Sequence, residues 1–142
     1  MKRFTYPVTL TPDEIDGGFV ITFRDVPEAI TQGDSIAESL EEAAGALEAA
    51  IAGRIQGGMN IPVPSRPQRG EKMVPVPLQT AMKATLYMAM KEANVSEVEL
   101  AKQLHTHENE VRRILDPHHG TKLPTIERAL SVLGKRVELH VL

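Results

Sequence analysis

Apolar and polar side chains alternate from Phe4 to Leu10, placing Phe4, Tyr6, Val8 and Leu10 on one side, as a strand with one buried face requires. Thr11 to Gly18, with Pro12, Asp16 and the Gly17-Gly18 pair, reads as a turn, and Phe19, Ile21 and Phe23 resume the alternation. The two segments predict a hairpin whose apolar face one helix can cover. Asp25 to Ser35 leads into that helix. Ser35-Ile36-Ala37-Glu38 has the form of a capping box, and Ile36, Leu40, Ala43, Ala44, Leu47 and Ile51 recur at helical spacing until Gly57-Gly58.

Asn60 to Glu71 holds three prolines, two arginines and Gly70, which predicts a crossing loop or linker. Met73 to Pro77 is apolar but interrupted by proline, so it fits only an edge strand. The remainder is helical. Met82, Leu86, Ala89, Met90 and Ala93 form one stripe; short helices follow from Ser96, from about His107 and from near Pro124, the last stopped by Gly134. Arg136 to Leu142 alternates again, predicting a short terminal strand with nothing local to pair with. Its apolar residues Val137, Leu139 and Val141 are therefore expected to join a second copy or the edge of another subunit.

Composition narrows the function classes. Cysteine is absent, which removes disulfides, cysteine-zinc sites and thiol nucleophiles and fits a reducing cytosol. Phe and Tyr together number five and Trp is absent, so aliphatic residues, Ala and Met must fill the cores, and small cores of that kind favour oligomers. No stretch approaches the roughly 20 apolar residues of a membrane span, and Met1-Lys2-Arg3-Phe4 enters the first strand without an apolar leader; the expectation is a cytoplasmic protein. The net charge of −3 argues weakly against nucleic acid, but it is uneven: residues 1–72 carry 7 basic and 11 acidic side chains, residues 73–142 carry 9 and 8. Local charge matters more, and Arg112, Arg113 and Lys122 face only Asp116 in their stretch.

The segment from Ser96 carries the chemistry. Leu100 and Leu104 lie one turn apart, small Ala101 sits where a second helix would cross, and Val111 and Ile114 return the contact. This spacing fits a helix-turn-helix. Thr106, His107, Glu108, Asn109, Arg112 and Arg113 then point outward, with His118, His119 and Lys122 as further phosphate or surface contacts. Arg can take guanine and Asn adenine through paired hydrogen bonds. The plainer alternative is a helical hairpin with a solvated charged face, and Glu108 and Glu110 speak for it. His105, His107, His118 and His119 lack the carboxylate or Cys partners of a metal site, so neither metal nor cofactor is expected. A nuclease would need carboxylates converging on two metal ions, and Phe4 to Leu10 contains none.

Three stretches together resemble the HicB antitoxins of bacterial HicA-HicB toxin-antitoxin pairs: Tyr6 to Pro12, Gly17 to Gly33, and Glu99 to Leu104 through Val111 to Ile114 and His118 to Lys122. The likeness spans nearly the whole chain, and its N-terminal part is the specific one. It implies an α+β protein. An N-terminal partial ribonuclease-H-like domain (strand hairpin, further strands, one covering helix), catalytically dead, would bind the toxin HicA, a small ribonuclease that cleaves messenger RNA. An all-α helix-turn-helix domain with the short terminal strand would dimerise on palindromic operator DNA and repress the operon. Two departures stand at the turn: His105 where many such motifs have Gly, and His107 where many have Ser or Thr, with Thr106 as an alternative cap.

The resulting reading is a non-enzymatic antitoxin and autorepressor with domains 1–77 and 78–142. Its partners would be a HicA-like toxin, operator DNA and a second copy of itself. Asp25, Glu28 and Asp34 are the candidate toxin-facing acids, against the alternative of a merely solvated acidic face. A stand-alone transcriptional regulator with an N-terminal ligand- or partner-sensing domain is the rival reading.

Overall fold

A computed structural model describes residues 4–142; residues 1–3, on which part of the expectation about an apolar leader falls, lie outside the described residues. The chain divides into two compact units, the first ending at Leu78 and the second running from Gln79 to Leu142. Among the described residues no helix is long and apolar enough to cross a membrane.

The first unit is an antiparallel sheet covered by one helix. Strands β1 (Thr5–Pro12), β2 (Phe19–Thr22) and β3 (Ile30–Gly33) precede helix α1 (Ile36–Gln56), and β4 (Lys72–Pro75) closes the unit. The sheet order is β3-β2-β1-β4. β1 serves two neighbours in turn: Thr5 to Val8 pair with β4, placing Tyr6 opposite Val74, and Thr9 to Pro12 pair with β2, placing Leu10 opposite Ile21. β4 lies at the edge, where its proline costs no ladder bond on the outer side. The hairpin turn closes on Asp13, whose carboxylate accepts from the amides of Ile15 and Asp16 at 3.0 and 3.1 Å.

The alternating residues do what their spacing predicts. Tyr6, Val8, Ile21 and Phe23 are buried, as are Ala43, Leu47 and Ile51 on α1, while Phe4, Leu10 and Phe19 are half-buried. Ser35 caps α1 by accepting from the Glu38 amide at 3.1 Å. The box is not reciprocal, because Glu38 reaches the Asp34 amide at 3.2 Å instead of that of Ser35. Ile36, placed in the buried stripe by its spacing, is 50% exposed. It lies in the first turn.

β3 is the element that the hydrophobic pattern hides. Its Ile30 is exposed and its buried position is Gly33. A Cβ on Gly33 would sit 2.5 Å from Ser39 Oγ and 2.7 Å from Ser39 Cα, so the glycine is what lets α1 lie against this strand.

The second unit is helical: α2 (Leu78–Ala93), whose first residue is the last of the first unit, then α3 (Glu97–Gln103), α4 (Glu108–Leu115) and α5 (Leu123–Val132). Leu86, Ala89 and Met90 are buried as the stripe on α2 predicts, Met82 is half-buried, and Ala93 is exposed. Thr80 and Lys83 also lie on the buried side. Arg136 to Leu142 forms no strand, which corrects the terminal-strand expectation for the single chain. An all-helical unit offers no sheet edge, so the backbone of this segment has no ladder partner, and Leu139 and Val141 are 72% and 89% exposed.

Candidate nucleic-acid and protein interfaces

The α3-α4 pair is built from its caps inward. Ser96 accepts from the Glu99 amide at 3.1 Å and its hydroxyl reaches Glu99 Oε1 at 3.2 Å, which starts α3. Leu100, Ala101, Leu104, Val111 and Ile114 are all buried, so the small residue and the flanking aliphatics meet as their spacing predicts. The turn is a Schellman motif: the Thr106 amide donates to the Ala101 carbonyl at 2.9 Å, the His105 amide donates to the Lys102 carbonyl at 3.2 Å, and His105 is left-handed at φ +54°. Thr106 is therefore occupied in closing α3, and His107 is the residue at the start of α4, with no side-chain cap. The same closure ends α1, α2 and α5 with Gly58, Asn94 and Gly134 in the left-handed position. His105 fills a slot that glycine fills at two of the three other ends.

The proposed contact residues occupy α4 and the segment after it. His107, Asn109, Arg112 and Arg113 are exposed on α4, and Thr106 and Glu108 are half-buried. His118, His119 and Lys122 are exposed on the stretch between α4 and α5, where Lys122 precedes the first turn of α5. Arg112 is not idle. Its guanidinium donates to Glu97 Oε2 at 3.1 Å, Glu108 Oε1 at 2.8 Å and Asn109 Oδ1 at 3.4 Å, and the bond it donates to Glu97, with the Glu108 charge, holds its pKa above the ordinary value. Arg113 pairs with Glu110 at 3.5 Å. The acidic residues on this helix thus act first on its own arginines.

Lys83, which the sequence reading did not single out, is fully buried on α2. Its ammonium donates to the carbonyls of Asp116 at 2.6 Å, His119 at 2.7 Å and Arg113 at 3.1 Å and to the Thr121 hydroxyl at 2.8 Å. Burial pushes its pKa down and the Asp116 charge pulls it back. The available signal was a lone charged residue three positions before Leu86 on the apolar side of α2.

In the first unit the three candidate acids separate. Asp25 accepts from the Ser65 amide and the Ser65 hydroxyl, each at 2.7 Å, and its side chain is 10% exposed. Its carboxylate is therefore already engaged with the 60–71 stretch. Glu28 holds Arg54 through two bonds of 2.6 and 2.9 Å, and that pairing lowers its carboxyl pKa. Asp34 is exposed at the start of α1. The stretch from Asn60 to Glu71 is tied along its length: Arg54 reaches the Asn60 carbonyl at 2.9 Å, Tyr6 donates to the Pro62 carbonyl at 2.6 Å, and Arg24 binds Glu71 at 2.9 Å. Burial, aided by the Asp25 charge, pushes the Tyr6 hydroxyl up to about 12. Among the described residues no three His, Cys, Asp or Glu side chains gather to hold a metal ion.

Residues 5–85 match a protein-family model described as the HicB-like antitoxin of bacterial toxin-antitoxin systems. Curated relatives extend the likeness to both units. Antitoxin HicB of Escherichia coli strain K12 is 37% identical over 134 residues, covering 94% of this chain and 96% of that protein. Antitoxin HicB 2 of Photorhabdus laumondii is 40% identical over 97% of this chain and 96% of its own length, and Antitoxin HicB 1 of the same organism is 37% identical over 99% and 89%. The class is that of antitoxins. Within it, this chain belongs to the HicB-like family.

Proposed function

We propose that this antitoxin neutralises a HicA-type messenger-RNA-cleaving toxin by direct binding through its first unit, and represses its own operon by binding a palindromic operator as a dimer through α3 and α4. The observation that carries the DNA half is the α3-α4 pair, with Ala101 buried at the crossing and His107, Asn109, Arg112 and Arg113 exposed on the second helix. Two such helices reach successive major grooves when their half-sites lie about 34–36 Å apart, or a multiple of that. The toxin half is supported by family membership and by the acidic balance of residues 1–72, which suits a partner with an RNA-binding surface.

Co-expression with a HicA-type toxin encoded beside this gene, followed by size exclusion, tests the first half; the absence of such a neighbouring frame, or separate elution of the two proteins, would count against it. For the second half, Arg112→Ala with Arg113→Ala should abolish specific operator binding while toxin neutralisation persists. Wild-type affinity in that double variant would mean that α4 does not face the DNA. Operator binding with no toxin complex would favour a stand-alone regulator.

A further inference from the structure

We propose that Lys83 is a positioning residue for the DNA-contacting surface: by drawing three carbonyls and a hydroxyl from residues 113–121 onto one ammonium, it sets where the stretch after α4 lies relative to that helix. The inference rests on the DNA-binding reading above and goes beyond it. An ammonium has three protons and here meets four acceptors, at 2.6, 2.7, 2.8 and 3.1 Å, so it is held from several directions. Three of the four acceptors, on Asp116, His119 and Thr121, belong to the stretch without regular structure from Asp116 to Lys122, and the fourth, the Arg113 carbonyl, lies in the last turn of α4. Such a stretch must find partners for its carbonyls outside a helix, and a buried lysine supplies them at one point. The Arg113 carbonyl also lies at the negative end of α4, where a cation is favoured.

The consequence is geometric. Arg113 at one end of the stretch and Lys122 at the other carry the charges that would meet phosphates, and His118 and His119 lie between them. With the ammonium in place the backbone positions that carry these side chains are set relative to one another before DNA arrives. Without it, the two cations lose their common register even where the helices still pack. A residue that only stabilised the unit would lower melting temperature and affinity while leaving the number of phosphates met unchanged.

The test uses the full chain and a duplex carrying the region upstream of its own gene, with an unrelated duplex of equal length as control. Affinity is measured across a salt series, because the slope of log K against log salt reports phosphates met, about 0.9 per contact. Lys83→Met and the milder Thr121→Val, which removes one acceptor, should retain a cooperative melt and give a flatter slope, by about 1–2 for Lys83→Met if the two cations fall out of register. Lys83→Arg keeps the charge but replaces a point donor with a planar fork, and should not restore the slope. A wild-type slope in folded Lys83→Met or Thr121→Val overturns the inference, as does full recovery with Lys83→Arg, which would make charge alone the cause. Should Lys83→Met fail to melt cooperatively, Thr121→Val decides. Failure of the wild-type chain to prefer the upstream duplex would instead remove the DNA-binding reading itself.

Discussion

Replacing Asp25 by Ala tests whether this carboxylate is an anchor or a partner contact. Its two bonds to Ser65 are short and charge-assisted, and bonds of that kind contribute about 1.5–3 kcal/mol each. They share one carboxylate and one residue, so their losses do not add fully, and the side chain retains slight access to water. A destabilisation of about 2–4 kcal/mol follows, most of it from leaving the Ser65 amide without an acceptor. For a unit of this size, each kcal/mol moves the melting temperature by about 4–8 °C, so the midpoint should fall by at least about 8 °C. Asp25→Asn keeps an acceptor oxygen and should lose less. Asp34→Ala, at an exposed position, should stay within about 0.5 kcal/mol of wild type. The assay is urea unfolding in a Tyr87→Phe background, where Tyr6, buried in the first unit, is the sole tyrosine and reports on that unit. If Asp25→Ala unfolds at the same urea concentration as Asp34→Ala, the Ser65 anchor has no energetic weight. Asp25 would then be available to a partner.

Other expectations follow from the same contacts. Deleting Arg136 to Leu142, whose Leu139, Val141 and Leu142 are mostly exposed, should weaken dimerisation and with it operator affinity; an unchanged sedimentation profile refutes this. Arg54 lowers the Glu28 pKa, so this pair stabilises the fold above Glu28's ordinary value of 4.5 and its contribution is lost as pH falls through the lowered value; Arg54→Met should flatten that part of the acid melting curve. His105→Gly should relieve a left-handed cost of about 1–2 kcal/mol against a glycine entropy cost of about 0.5–1 kcal/mol, raising the second unit's melting temperature slightly, whereas His105→Val should lower it.

What was legible in the sequence divides along physical lines. Side chains buried by period, such as Tyr6, Val8, Ile21 and Leu47 in the first unit and Leu100, Val111 and Ile114 in the second, announce themselves because burial repeats with the geometry of the element. β3 did not, since a four-residue strand whose buried position is glycine leaves no apolar period to detect. Polar residues were harder still. Asp25 and Lys83 have the composition of surface residues, and only the convergence of distant carbonyls, amides and hydroxyls reveals that each fastens an irregular stretch: 60–71 for Asp25, and 113–121 for Lys83. Charge counting gave the sign of each half but not which charges are already paired, so Arg112 could be named without its two carboxylate partners being foreseen.

Those carboxylates bear on how an antitoxin of modest charge would select an operator. On the proposed reading, Arg112 must leave Glu97 and Glu108 to meet a guanine edge, and Arg113 must leave Glu110. Phosphates alone attract the arginines against this internal competition, and the acids themselves repel the backbone, so binding to arbitrary DNA is suppressed at every register. A base edge that accepts both donors of one guanidinium recovers the loss only at matching sequence. Discrimination therefore grows as general affinity falls, and the remaining affinity has to come from a second recognition helix on the neighbouring half-site. Neutralising the competitors, as in Glu97→Gln with Glu108→Gln, should accordingly tighten binding to unrelated duplex more than to the operator. A variant that tightened both equally would show that the acids only lower the overall field.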